Sequence, residues 1–168
     1  MGYDITLVPY QQVFHHQHTS HELYISGARA ARNEALRREC KIHAILTIGA
    51  ENSVSNFSAR NVSSRYMCVG LKDMPMIQIN RHFPRMLDFI GQALEHGNVL
   101  VHCTMGVSRS ATVVIAFVMR ECRARMEEAY KCLEEVRPYI NPNPGFMLQL
   151  RDWERQCVRE VSHISEHP

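Results

Sequence analysis

The stretch from Val99 to Cys122 constrains the fold of this 168-residue chain more than any other, because an apolar strand, a short loop and a long helix follow one another there. Val99, Leu100 and Val101 form the continuous apolar run of a strand covered on both faces. Behind Ser110, the residues Ala111, Val114, Ile115, Val118, Met119 and Cys122 recur at the spacing of one helical face. Val113, Ala116 and Phe117 widen that face, which predicts a central helix covered on most sides. Between the two elements, the loop opens with Cys103 and closes with Arg109.

That spacing suits one kind of chemistry. A loop feeding a helix N-terminus turns several backbone N–H groups inward, where the helix dipole favours negative charge. Such a nest fits a phosphate or sulfate dianion, held by the amides of Thr104, Met105, Gly106, Val107, Ser108 and Arg109. Cys103 lies beneath it, in a field that favours a thiolate over a thiol. Arg109 offers a planar fork to two oxygens, which a lysine could not match. Gly106 lets the backbone curl where a Cβ would interfere. Ser110 places a hydroxyl near Cys103, where it can stabilise the sulfur as a leaving group.

The string His102-Cys103-Thr104-Met105-Gly106-Val107-Ser108-Arg109-Ser110 resembles the H-C-x5-R-S signature of the cysteine-dependent protein phosphatases, and Gly106-Val107-Ser108-Arg109-Ser110-Ala111 resembles the dual-specificity branch. Tyr24 to Gly27, Ile45 to Ile48, the Asp73 region, Phe89-Ile90 and Asn143 to Phe146 follow the order of a small atypical dual-specificity phosphatase. The resemblance covers about residues 5–158. It implies an α/β fold with a mostly parallel sheet flanked by helices on both faces. It also implies hydrolysis of phosphate monoesters on phosphotyrosine and phosphoserine or phosphothreonine proteins through a phosphocysteine on Cys103. The family places a general-acid aspartate where this chain has Asp73, which follows a strand, precedes a proline turn and lies 30 residues before Cys103. Expelling an alkoxide is costly unless its oxygen is protonated, so such a reaction needs that acid. Asp4, Asp88 and Asp152 are the rivals; Asp88 falls within a helical pattern and the others near the chain ends. His102 is expected to orient the loop or tune the thiolate rather than act as a base. The family requires no metal and no cofactor.

Two other readings compete. A phosphate-binding pseudophosphatase would keep the nest and lose turnover, but here Cys103, Arg109 and Asp73 are all present. The other is a same-fold enzyme that acts on a different substrate. Phosphoinositide-acting relatives carry basic residues within the loop, and Thr104 to Ser108 contain none; RNA 5′-triphosphatases continue Arg-Thr-Gly, where this chain has Arg109-Ser110-Ala111. Met74, Met76 and Met105 suggest an apolar rim that favours a ring-bearing substrate such as phosphotyrosine.

The rest of the chain reads as one domain over 1–168, with an unpatterned tail at 161–168. A strand at Leu23–Ile25 leads to a helix over Ala28–Cys40, a strand over Ile42–Ile48 and a third from Tyr66 to Leu71. Between them, 49–64 is a polar loop that either forms a wall of the cleft or faces solvent. A helix from Phe83 to Leu94 is expected to stop at Gly97 in the C′ position. Further helices follow over Met126–Val136 and from Phe146 to Cys157. His15, His16, His18 and His21 match no ligand spacing and read as a solvated loop. Six cysteines without paired spacing, no signal peptide and no long apolar span imply a reducing cytoplasmic, or nuclear, setting without stable membrane insertion. Gly2 with Thr6 matches a myristoylation pattern only formally, so a plain N-terminus is expected. A net charge of +2 without a basic block gives no case for nucleic acid. The expected partner is a phosphorylated protein, and the pattern leaves the oligomeric state open.

Overall fold

The structure, a computed structural model, describes residues 11–15, 20–49 and 65–164. Gly2, Thr6, His16, His18 and nearly all of loop 49–64 lie outside them. The elements are β1 (Gln11–His15), β2 (Glu22–Gly27), α1 (Ala28–Arg32), α2 (Glu34–Glu39), β3 (Ile42–Gly49), β4 (Arg65–Gly70), a 3-10 turn (Ile79–His82), α3 (Phe83–Leu94), β5 (Asn98–Cys103), α4 (Arg109–Cys122), α5 (Met126–Val136) and α6 (Pro144–Ile164).

Five strands form one sheet in the order β1-β2-β5-β3-β4. β2, β5, β3 and β4 run parallel and β1 closes the edge antiparallel to β2. The apolar run of β5 therefore occupies the centre, between β2 and β3. Strand alternation separates two cores. Leu23, Ile25, Ala44, Leu46, Ile48, Val99 and Val101 face the larger core under α3, α4, α5 and α6. Leu100, Ile45 and Ile42 face the smaller one, against Ala30 and Ala31 of α1. Ile42 and Ile45 are an odd number of residues apart, and they share a face because the β3–β5 register slips between Ile42 and Ala44.

Four expectations change. The helix expected over 28–40 is two short helices. Asn33 between them is extended (φ −74°, ψ 106°), and its side chain accepts from the Leu36 amide at 3.3 Å. Asparagine caps a new helix better than it continues an old one. Strand β1 was not expected, and it places His15 opposite Glu22 rather than in a loop; His21 Nδ1 is bonded to the Leu94 carbonyl at 2.7 Å. Gly97 is not a left-handed C′ residue, since Gly106 is the one glycine with positive φ among the described residues. Its smallness serves packing instead: a Cβ there would lie 2.4 Å from His43 Cβ. Helix α6 continues through Ile164, past the point where the apolar pattern ends.

Candidate active site

The site lies where β5 gives way to α4, at the carboxyl end of the parallel strands, the end at which open α/β sheets build their clefts. Cys103 is the last residue of β5 and is buried. Its Sγ receives the Gly106 amide at 3.2 Å and lies 3.2 Å from Ser110 Oγ in the first turn of α4. Gly106 adopts φ +71°, and a Cβ on it would lie 2.6 Å from the Ser26 carbonyl carbon. The curl of the loop therefore needs glycine both for its dihedral and for the space beneath it. The loop is pinned from outside as well: Ala28 N donates to Thr104 O (2.9 Å) and Asn141 N to Val107 O (3.0 Å).

Arg109 folds back beneath the loop. Nη1 donates to Leu71 O at 3.1 Å and Nη2 to Thr104 Oγ1 at 3.0 Å. Its buried Nε has no hydrogen-bond partner and lies 3.6 Å from Asp73 Oδ2. A buried, unsatisfied guanidinium N–H in the cleft is a donor suited to an anion. Asp73 is half-exposed. Its Oδ1 accepts from Ser108 Oγ (2.7 Å) and Asn143 Nδ2 (2.8 Å), which leaves Oδ2 towards Arg109. Ser108 thus has a second role: besides belonging to the nest, its hydroxyl orients Asp73. Cys103, Thr104, Met105, Val107, Ser108, Arg109 and Asp73 line one cleft of about 750 Å³, with Pro142, Asn143, Pro144 and Met147 along the far wall.

His102 points away from this cleft, onto the face that carries α1. Its Nε2 is 2.7 Å from Thr47 Oγ1, which also receives the Tyr66 hydroxyl at 3.0 Å, and its Nδ1 is 3.2 Å from Cys103 O. Burial lowers its pKa to about 4, with Arg32 and Arg37 acting in the same direction against the Cys103 carbonyl. The ring is neutral at pH 7, so it braces the loop and supplies no cation to the sulfur.

Two contributors went unread in the sequence. Arg137, which marks only a helix end before Pro138, is fully buried behind the loop. Its Nε donates to Gly106 O at 2.7 Å, and its guanidinium lies 4.6 Å from the Tyr139 ring centre. Burial pushes its pKa down, and the Tyr139 and Cys103 groups push it back up. Asn143 reads as a turn residue; it bridges Asp73, Ser108 Oγ (3.2 Å) and the Phe146 amide (3.0 Å). The two asparagines of Asn-Pro-Asn-Pro gave no sign of which one turns inward.

A family model described as dual specificity phosphatase, catalytic domain, matches residues 23–156. Mouse dual specificity protein phosphatase 19 is 40% identical over 136 residues, covering 79% of this chain and 59% of that protein. The chain spans 59% or less of the length of the first curated relatives it matches. Human tyrosine phosphatase-like serine/threonine/tyrosine-interacting protein superposes with a TM-score of 0.75 at 32% identity, covering 81% of this chain and 93% of that structure. Human DUSP28(Y102H) superposes with a TM-score of 0.80 over 91% of this chain and 99% of its own; at 24% identity, that likeness supports the fold alone.

Proposed function

Because this chain belongs to the dual specificity phosphatase catalytic-domain family, we propose that it hydrolyses phosphate monoesters on phosphotyrosine and phosphoserine or phosphothreonine proteins in two displacements at Cys103. The observation that carries this reading is the gathering of Cys103, Arg109 and Asp73 around one cleft, with the Gly106 amide on the sulfur and a buried arginine N–H unsatisfied. In the first displacement the Cys103 thiolate attacks phosphorus, the P–O bond of the ester breaks, and Asp73 passes its proton to the departing oxygen. The loop amides and Arg109 hold the three equatorial oxygens as charge shifts among them. In the second, water attacks phosphorus, Asp73 accepts its proton, and the P–S bond breaks with the Ser110 hydroxyl donating to the leaving sulfur.

The Asp73–Arg109 pairing supports this assignment. Asp73 Oδ2 lies 3.6 Å from Arg109 Nε, so the carboxyl stands beside the group that would hold the phosphate. Ser108 and Asn143 aim the carboxyl. The setting we propose is cytoplasmic or nuclear, with a phosphorylated protein as partner; no described helix is long and apolar enough to cross a membrane.

Hydrolysis of a small aryl phosphate by wild type, Cys103→Ser and Asp73→Asn tests the roles. Cys103→Ser should lose turnover by at least about a thousandfold. Asp73→Asn should lose about a hundredfold or more, with the loss growing as the leaving group becomes more basic. Chelator should leave the wild-type rate unchanged. A wild type that binds tungstate but turns nothing over would establish the pseudophosphatase instead.

A further inference from the structure

Apolar exposure is concentrated at the mouth of the cleft. Of the six large hydrophobic side chains exposed among the described residues, Met74, Met76, Met105 and Leu148 (40, 72, 55 and 61% exposed) lie on the loop, turn and helix that border it. They form one rim. The Met74–Met76 turn presses on the start of α6 so closely that a Cβ on Gly145 would lie 2.0 Å from Pro75 O, and Gln149 Nε2 ties the same helix to Ile77 O at 2.9 Å. Met147 and Leu148 follow the cleft-lining Pro144 by three and four residues, so they stand one turn further along its side of the helix.

Charge is distributed in the opposite way. Arg109 is the one cation lining the cleft, and it is committed to a single anion at its base. Arg137 is fully buried and bonded to Gly106 O, and Lys72, exposed beside Asp73, stands on the border with Met74 rather than in the lining. Among the described residues, no second cation lines these walls to meet another phosphate. We propose that the rim is a docking surface for a singly phosphorylated peptide segment whose residues beside the phosphorylated one are apolar, the phosphate entering the nest while those neighbours cover Met76, Met105 and Leu148. The occupant is argued from continuity: the rim adjoins the nest, where Arg109 is the one lining cation among the described residues, so a phosphorylated segment that reaches the nest lies across the rim. This inference rests on the phosphatase reading and names its substrate class.

Binding to Cys103→Ser protein tests the rim without depending on turnover. Fluorescein-labelled phosphotyrosine peptides of equal length, flanked either by Leu and Met or by Glu and Asp, are titrated by polarisation. The apolar-flanked peptide should bind about tenfold more tightly. A second phosphotyrosine two residues away should give no gain. Adding Met76→Glu and Leu148→Glu, both at the surface, should shrink the preference to about twofold or less; a matching Met76→Gln and Leu148→Gln pair should shrink it too, which separates lost apolar contact from added charge. Equal binding of both peptides, preference for the acidic or doubly phosphorylated one, or a preference unmoved by the variants would overturn the proposal. So would co-sedimentation with vesicles of phosphatidylcholine and phosphatidylinositol monophosphate that the same variants abolish, since the rim would then be a membrane face. Failure of the phosphatase reading looks different: wild type hydrolyses neither peptide nor aryl phosphate, while the binding preference persists.

Discussion

Cys103 and His102 are adjacent in sequence and belong to opposite faces of the sheet, so they do different work. The sulfur meets the Gly106 amide and the Ser110 hydroxyl in the cleft, whereas the imidazole is sealed against Thr47. Its pKa of about 4 sits below the ordinary 6.5, so the unfolded chain binds a proton there that the folded chain refuses. Stability is unaffected by this group above pH 6.5 and falls as pH drops from there towards 4, by roughly 3 kcal/mol in all. Thermal melts across that window should show a shallower decline for His102→Gln than for wild type, alongside a lower Tm at pH 7 from the lost Thr47 link. Arg137 is the second residue with a distinct signature. Replacing it by Met removes charged hydrogen bonds to the loop carbonyls, which should cost about 3 kcal/mol in stability. Turnover of a small aryl phosphate should fall by about a hundredfold with tungstate affinity falling in step, and Arg137→Lys should recover only part because one ammonium cannot span both Gly106 O and Met105 O.

At the scale of elements, Asp73, the proposed general acid, is held by contacts between segments that do not pair in any sheet. The turn carrying Asp73 and the start of α6 are joined by Asn143 Nδ2 on Asp73 Oδ1, by the Asn80 amide on Gln149 Oε1 at 3.1 Å, and by the bare Cα of Gly145 against Pro75. A methyl group at Gly145 would collide with backbone rather than with a flexible side chain, so one segment has to move. Gly145→Ala should therefore resemble a mild Asp73→Asn: a loss of about tenfold on substrates with basic leaving groups and little on activated ones. A leaving-group series on the variant reads the difference, and a uniform loss across the series would mean that the nest, and not the acid, has shifted.

Across the whole molecule, the sheet order sets the site. With β5 at the centre, its carboxyl end meets the amino terminus of α4, whose inner face is buried from Arg109 to Met119. Residues 71, 73, 137 and 143 then reach the same loop from the far ends of their own elements. A second depression of about 760 Å³, lined by His21, Glu39, Cys40, His43 and His96 among others, opens at the amino ends of the strands. It faces no helix N-terminus of the parallel units, which is why the anion chemistry collects at the other end.

What the sequence determined by itself is the strand-loop-helix from Val99 to Cys122, the helices α3 to α5 and the parallel strands, because each is written in consecutive residues whose apolar period matches its own geometry. Cys103, Gly106, Arg109 and Ser110 stand together within one such stretch, and Asp73 was singled out through the resemblance to the phosphatase family. Tertiary structure alone decided the rest. Strand β1 exists through its backbone pairing with β2, and Gly97 is small because His43 lies against it. Arg137, Asn143, Thr47 and Tyr66 gain their roles only across 31 to 70 positions of chain or through a neighbouring strand. A buried guanidinium or a bridging amide is stabilised by the partner it finds, and no local period records which partner folding will bring.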